Sequence, residues 1–232
     1  MGTIYASEQR LGKYFQSKES LLRWYLSNAP GKLAALGYLI KHIYNNKFLN
    51  IISLGAKTCV LEYLLKCSLP MDAHVVAMDY SPFFIQKAQK LLPNIIAMEF
   101  DFFKDDILDV NDRLGIRFDI AVFLGSIYVM DDLQFIHLFK QLKEIGGKQI
   151  IDFYGGYLTW KTIMYNLLEP LRKIKVMRKI LRRPPLPDCV GKFHGYGRSR
   201  GELRRLYTEA GLSLVKETRV GDYHYVAVLS HG

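Results

Sequence analysis

Between residues 49 and 154, short apolar runs alternate with segments that have the periodicity of amphipathic helices. The apolar runs lie at residues 49–54, 74–79, 94–100, 118–124 and 148–154 and read LNIISL, HVVAMD, NIIAMEF, FDIAVFL and KQIIDFY. The helical segments between them read TCVLEYLLKCS, SPFFIQKAQKLL and DLQFIHLFKQLKEIG. Such alternation is typical of βαβ units, in which helices cover both faces of a parallel sheet. The pattern therefore predicts an α/β fold.

The order of elements changes near the C-terminal end of the sequence. The segment SRGELRRLYTEAGL has helical spacing, a capping-box pair at Ser199 and Glu202, and Gly211 at the expected C-cap. Two strand-like runs follow, LSLVKETRV and DYHYVAVLS, which meet at Gly221 and Asp222. Because so short a connection favours a hairpin, we predict a mostly parallel, seven-stranded sheet that ends in an antiparallel pair.

Two further regions surround this pattern. Residues 1–47 read as helices, since SKESLLRWYLSN and GKLAALGYLIKHIYNN have helical spacing and Pro30 suits a first helical turn. Residues 155–197 interrupt the alternation with another helical pattern, in which Pro170 should cause a kink or a new start. We predict an N-terminal helical cap at 1–47 and an α/β domain at 48–232, with an insertion at about 155–197 that covers the sheet edge.

The composition agrees with a globular protein, because half of the 232 residues are hydrophobic. No apolar run approaches the ~18–20 residues of a membrane span, and the N-terminal segment MGTIYASEQRLGKYF lacks the apolar core of a signal peptide. The three cysteines form no metal-type spacing, and the histidines are scattered. We expect reduced thiols, no metal site and a cytoplasmic location.

The net charge of +10 is concentrated in one place. Residues 171–183, LRKIKVMRKILRR, carry seven lysines and arginines and no acid. Such a basic segment indicates an anionic partner, such as a membrane surface, a nucleic acid or a phosphorylated substrate. Its amphipathic pattern also fits peripheral contact with an anionic membrane.

The stretch IISLGAKTCVLE at residues 51–62 is an apolar strand that ends at Gly55 and leads into a helix. Glycine allows a sharp turn and a close approach of the backbone to a ligand, although an ordinary strand-to-helix turn has the same appearance. Asp79 ends the second strand 24 residues later, and an acid at such a position can accept both hydroxyls of a ribose. A capping role is the alternative for Asp79, but Ser81 beside Pro82 already suits it.

Four stretches, SLGAKTC, VVAMDYSP, MEFDFFKDD and FDIAVFLGSIYVMDD, together with the order of elements, resemble the class I S-adenosylmethionine-dependent methyltransferases. The resemblance covers roughly residues 48–230 and implies the Rossmann-like fold of that family. In the family, the first strand usually ends in an acid that is followed by a Gly-x-Gly-x-Gly turn. Here Gly55 holds the first glycine position, Ser53 stands in place of the acid, and Lys57 and Cys59 stand in place of the later glycines. The glycine motif is therefore degenerate.

The resemblance implies S-adenosyl-L-methionine as the cofactor. Asp79 would bind the ribose, Asp101 would contact the adenine amino group, and Phe102 would pack beside the ring. Leu124 and Gly125 would lie at the carboxyl end of the fourth strand. The full set that we predict to bind the cofactor is Ser53, Gly55, Ala56, Lys57, Asp79, Tyr80, Asp101, Phe102, Leu124 and Gly125.

Methyl transfer is an in-line displacement, so the protein must hold the nucleophile close to the methyl carbon and exclude water. Residues near the expected mouth of the pocket are the candidates for this work. The predicted catalytic residues are His194, Tyr128 and Asp152, and the predicted substrate-binding residues are Tyr154, Tyr196 and Arg198. His194 is a possible base near neutral pH, although a single loop histidine is more often a surface residue.

Three functions remain open from the sequence. The first is methyl transfer to the oxygen or nitrogen of a small-molecule, lipid-linked or sugar-linked substrate. The second is an RNA methyltransferase, for which the basic segment at 171–183 would contact phosphates. The third is an inactive binding protein of the same fold, which Ser53, Lys57 and Cys59 favour. Because Asp79 and Asp101 are in place, the sequence favours a working variant.

Overall fold

A computed structural model describes residues 8, 11–145, 147–155, 198–220 and 224–231 of the chain. The predicted insertion at about 155–197 therefore lies almost wholly outside the described residues, together with His194 and Tyr196. The basic segment at 171–183 also lies outside them.

The helices and strands follow the predicted order along the described chain. The α-helices are α1 Lys18–Asn28, α2 Pro30–Asn46, α3 Val60–Cys67, α4 Pro82–Leu91, α5 Ile107–Leu114, α6 Asp132–Glu144 and α7 Arg200–Glu209. The strands are β1 Asn50–Leu54, β2 His74–Asp79, β3 Ile96–Glu99, β4 Ile120–Leu124, β5 Gln149–Gly155, β6 Leu212–Val220 and β7 His224–His231. A 3₁₀ turn, Ile127–Val129, follows β4.

The seven strands form one sheet in the order β3-β2-β1-β4-β5-β7-β6. Strands β1 to β5 are parallel, and β7 runs antiparallel to both β5 and β6. The predicted mostly parallel sheet with an antiparallel C-terminal hairpin is therefore confirmed. The strand order reverses between β1 and β4, and ligands of such sheets bind outside the carboxyl ends of the strands at that point.

Helices pack on both faces of the sheet because the side chains of each strand alternate between two hydrophobic cores. Along β1, Ile51 belongs to one core and Ile52 to the other. The first core receives residues of α1, α2, α3 and α4, and the second receives residues of α5, α6 and α7. We call the side of the sheet that packs against α1–α4 the N-terminal face, and the side that packs against α5–α7 the C-terminal face.

The predicted N-terminal helices are present, and local signals explain where they begin. The Ser17 hydroxyl accepts a hydrogen bond from Ser20 N (3.2 Å) at the start of α1, and Pro30 is the first residue of α2. Leu21 and Leu39 are fully buried in the same core as Ile51. The division into a cap at 1–47 and a domain from 48 onward stays a prediction.

The structure corrects the sequence prediction at one helix and at several strand ends. The sequence pattern predicts no helix over residues 107–114. Instead, Asp106 accepts a hydrogen bond from Leu108 N (2.9 Å) and caps α5. Strand β3 is shorter than predicted, since it spans Ile96–Glu99, and β4 begins at Ile120 instead of Phe118.

Candidate functional site

The turn after β1 lies against the end of β2 and the loop after β4. The backbone N–H groups of Gly55 and Ala56 both donate to Met78 O at 2.8 Å. Gly55 has a φ of +76°, and a Cβ at this position would lie 2.3 Å from the Cβ of Ser126. Glycine is therefore required at position 55 both for the backbone conformation and for the close approach of the neighbouring loop.

Lys57 and Cys59 adopt the left-handed backbone conformation that glycine favours, with φ of 52° and 54°. A non-glycine residue in this region costs about 1 kcal/mol. Two interactions offset that cost, because Lys57 N donates to Asp79 at 2.8 Å and the Cys59 side chain is fully buried in the core. Lys57 and Cys59 therefore keep the left-handed backbone at the two positions where the family that the sequence resembles has glycines.

Asp79 connects this turn to the start of α4. Its Oδ2 accepts from Lys57 N (2.8 Å), its Oδ1 accepts from Ser81 N (3.0 Å), and the residue is only 4% exposed. Burial raises the pKa of Asp79, while the two backbone N–H groups and the Lys57 charge oppose that shift. A carboxylate has about four acceptor positions, so two remain for other donors. Ser81 caps α4 as predicted, by accepting from Phe84 N (3.4 Å).

Aromatic and acidic side chains lie around Asp79. Tyr80 and Tyr128 are 37% and 38% exposed. Partial burial raises the pKa of both hydroxyls, and the charge of Asp79 raises it further. For Tyr80 the pKa rises to about 12, with a smaller contribution from Asp101. Phe102 approaches the turn, since its Cζ lies 3.6 Å from the position of a Cβ on Gly55. These predicted residues therefore share one region.

Asp101 is held in the loop after β3 by local contacts. Its Oδ1 accepts from Phe103 N (3.0 Å), and its Oδ2 forms an ion pair with Lys104 at 3.0 Å. The Asp101 side chain is 24% exposed, so it remains accessible from solvent. The loop thus presents a carboxylate close to Phe102.

The loop after β4 borders the same region, because β4 is the neighbour of β1 in the sheet. Leu124 is buried, and Gly125 has a φ of +80°. The Ser126 hydroxyl donates to Leu54 O at 2.6 Å and ties this loop to the end of β1. The carboxyl ends of β1 and β4 are therefore held together beside the turn at Gly55.

Two charged residues that the sequence analysis did not select contact this region, Glu62 at Ser53 and Lys32 at Gly125. Glu62 is 1% exposed, and its Oε1 accepts from the Ser53 hydroxyl at 2.7 Å. Its Oε2 is buried and has no hydrogen-bond partner. Lys32, at the start of α2, has its Cε 3.9 Å from the position of a Cβ on Gly125. A glutamate on the apolar face of VLEYLLKC was the available sequence signal for Glu62.

Asp152 and Tyr154 lie on β5, and their side chains are buried and engaged within the protein. Asp152 is fully buried, and the Tyr207 hydroxyl of α7 donates to its Oδ2 at 2.5 Å. Burial raises the pKa of Asp152 to about 7, against the effects of Tyr207 and the Arg198 charge. Tyr154 is 2% exposed and donates to Glu217. Tyr154 and Tyr207 belong to the core of the C-terminal face.

Arg198 is also engaged within the protein. It is 6% exposed, and its guanidinium pairs with Asp132 at 2.9 Å and donates to Met130 O at 2.7 Å. Arg200 and Arg204 of α7 pair with Glu217. The structure therefore shows each of these arginines beside a carboxylate.

Two other features, a membrane span and a metal-binding cluster, are absent from the described residues. No helix in that part of the chain is long and apolar enough to cross a membrane. Likewise, no group of three histidine, cysteine or acidic residues within the described ranges has the arrangement of a metal site.

The sequence matches no protein-family model and no curated protein. The fold is similar to solved methyltransferase structures. The magnesium protoporphyrin IX methyltransferase of Synechocystis PCC 6803, with bound S-adenosylhomocysteine, has a TM-score of 0.61 at 13% identity over 87% of this chain and 84% of its own. Human N-acetylserotonin methyltransferase, in complex with S-adenosylmethionine, has a TM-score of 0.61 at 17% identity over 99% of this chain.

The mitomycin 7-O-methyltransferase MmcR gives a TM-score of 0.58 at 14% identity over 92% of this chain. This chain spans 59% of the human enzyme and 57% of MmcR, which is less than two thirds of either. TM-scores of 0.58–0.61 at identities of 13–17% show a shared fold, and the activity of this chain has to be argued from its own residues.

Proposed function

We propose that this protein binds S-adenosylmethionine at the carboxyl ends of β1, β2 and β4 and transfers its methyl group to an oxygen or nitrogen of a small molecule. One observation carries the proposal most directly. The Asp79 carboxylate lies beside a turn of glycine-like conformation and keeps two acceptor positions for the hydroxyls of a ribose.

The residues around Asp79 fit the parts of this cofactor. Asp101 is an accessible acceptor for an adenine amino group, and Phe102 offers an apolar surface for the ring. A Cβ at Gly125 would make only ordinary contacts at 3.9 Å, with Lys32 and Phe153. The residues proposed to hold the cofactor are Ser53, Gly55, Ala56, Lys57, Asp79, Tyr80, Asp101, Phe102, Leu124 and Gly125.

When bound, the cofactor supplies an electrophilic methyl group, and the protein supplies position and a dry environment. Tyr128 is suited to hold a substrate, since it is partly exposed and lies within the influence of Asp79. Its pKa is raised by burial, so the phenol stays protonated at neutral pH and acts as a hydrogen-bond donor instead of a base. His194 and Tyr196 stay proposals outside the described residues.

The choice of substrate class has support from the compared structures. Their names specify a magnesium protoporphyrin, N-acetylserotonin and mitomycin, which are small molecules. We extend this to a small-molecule substrate here, with a lipid- or sugar-linked one included because of the basic segment at 171–183. RNA is the alternative substrate that the same segment allows.

Calorimetric titration of the purified protein with S-adenosylmethionine and S-adenosylhomocysteine tests the proposal. We expect binding of both, and at least a tenfold loss in Asp79→Ala, because a charge-assisted pair of hydrogen bonds contributes about 1.5–3 kcal/mol. Asp72→Ala is the matched control, since Asp72 is exposed just before β2 and should leave binding unchanged. Thermal melts check that each variant is folded. A folded wild-type protein that binds neither ligand contradicts the proposal.

A further inference from the structure

Glu62 poses a physical problem that its contacts within the protein do not solve. Its side chain is almost fully buried, yet only Oε1 has a partner, the Ser53 hydroxyl at 2.7 Å. The second oxygen, Oε2, is buried without a hydrogen bond. Leaving a buried polar atom unpaired costs about 1–3 kcal/mol, and more when the group is ionised. A ligand with a cationic donor would remove that cost.

The position of Glu62 is informative because it is beside Ser53. Ser53 is the β1 residue that stands where the resembling family has an acid. Glu62 comes from α3 and brings a carboxylate within hydrogen-bond distance of that position. The carboxyl group that the strand lacks is therefore supplied by the helix that follows the turn, although burial raises the pKa of Glu62.

Lys32 provides the opposite charge at the same end of the sheet. Its side chain is half-buried, and its Cε lies 3.9 Å from the position of a Cβ on Gly125. Within the described ranges, its ammonium group makes no ion pair shorter than 4.0 Å. Burial lowers the pKa of Lys32, while the charges of Glu62 and Asp79 oppose that shift. Lys32 and Glu62 are thus close enough to interact electrostatically without pairing directly.

Two opposite charges that are separated by more than an ion-pair distance match a ligand that carries both charges itself. An α-amino acid has an ammonium and a carboxylate on one carbon atom. We propose that Glu62 and Lys32 together bind the zwitterionic amino-acid end of the cofactor. Oε2 of Glu62 accepts from the ammonium group, and Nζ of Lys32 donates to the carboxylate.

This inference rests on the proposed function, and a shortened ligand separates the two. S-Adenosylhomocysteine carries the amino-acid end, whereas 5′-methylthioadenosine has the same nucleoside and sulfur without it. The experiment measures the affinity of both ligands for the wild-type protein, Glu62→Gln and Lys32→Met by calorimetry. Glu62→Gln retains an acceptor for Ser53, so it removes the charge with little change of shape. Glu144→Gln and Lys140→Met, both exposed on α6, are the matched controls.

We expect each variant to weaken S-adenosylhomocysteine by about 10- to 100-fold and 5′-methylthioadenosine by no more than about twofold. Unchanged binding of the shortened ligand also shows that the variant site is folded. Equal losses for both ligands, or no loss for S-adenosylhomocysteine, would overturn the assignment of Glu62 and Lys32 alone. A wild-type protein that binds neither ligand would overturn the proposed function itself.

Discussion

Asp152 offers a quantitative test of the interior of this protein, because it is a fully buried acid with one hydrogen bond. Its pKa rises from 3.8 to about 7, and burial is the main cause. At 1.36 kcal/mol per pKa unit, this shift corresponds to about 4 kcal/mol. The sign follows from proton binding. Between these two pKa values, the folded protein binds more protons at Asp152 than the unfolded chain, so its stability falls as the pH rises.

Replacement by asparagine removes this titration and keeps the shape of the side chain. Asp152→Asn can still accept from the Tyr207 hydroxyl through its carbonyl oxygen. We therefore expect the stability of Asp152→Asn, relative to the wild type, to increase by about 4 kcal/mol between pH 4 and pH 8. Any cost of the amide group itself is independent of pH and shifts the whole curve. Urea denaturation followed by circular dichroism, at several pH values, measures this difference.

Two further variants make the test specific. Tyr207→Phe removes the donor that favours the ionised form of Asp152, so we expect its stability to go on falling to a higher pH than that of the wild type. Asp72→Asn, at an exposed position, should leave the pH profile unchanged. A constant difference between Asp152→Asn and the wild type across this pH range would refute the reasoning, because it would mean that the folded Asp152 has an ordinary pKa.

Three other predictions follow from the described contacts. Burial alone would raise the pKa of Glu217, but hydrogen bonds from Arg200, Tyr154 and Arg204 outweigh it and lower the pKa to about 2. Glu217→Gln should therefore have a lower Tm than the wild type at pH 6. This difference in Tm should shrink as the pH falls from 4.5 towards 2. Gly55→Ala should lower the free energy of unfolding, measured by urea denaturation, by about 2–4 kcal/mol, because it adds a clash with Ser126 to the backbone strain. Gly115→Ala should lower it by only about 1 kcal/mol, because Gly115 has a φ of +60° but no neighbour within 4 Å. Lys57→Gly should be more stable than Lys57→Ala by about 1 kcal/mol, because Lys57 has a left-handed backbone. At Lys140, within α6, the alanine variant should instead be the more stable one. If glycine were the less stable replacement at both positions, the left-handed turn would be contradicted.

Much of the fold was predictable because its signals are local. Strand and helix periods alternate along the chain, and the capping pair at Ser199 and Glu202 marks the start of α7, where both reciprocal hydrogen bonds are present. Helix α5 was missed because it is only eight residues long and its acids resemble those of a solvated loop. Its buried residues, Ile107 and Val110, are too few to define a helical period.

The candidate site was predictable only where it depends on strand ends. Asp79 and Gly125 follow parallel strands, so their approach to the strand reversal follows from the topology. The approach of Lys32 to Gly125 was not predictable, because these two residues are distant in the sequence and meet only through the tertiary fold. Similarly, Glu217 on β6 neutralises arginines of α7, and no local pattern distinguishes them from a cradle for a ligand.

The central claim is that S-adenosylmethionine binds at the carboxyl ends of β1, β2 and β4. The most direct measurement is a crystal structure of the protein with saturating S-adenosylhomocysteine. The account predicts both ribose hydroxyls within hydrogen-bond distance of the Asp79 carboxylate, with the adenine beside Phe102. A ligand bound elsewhere, or no ligand in well-ordered crystals at saturating concentration, would contradict it.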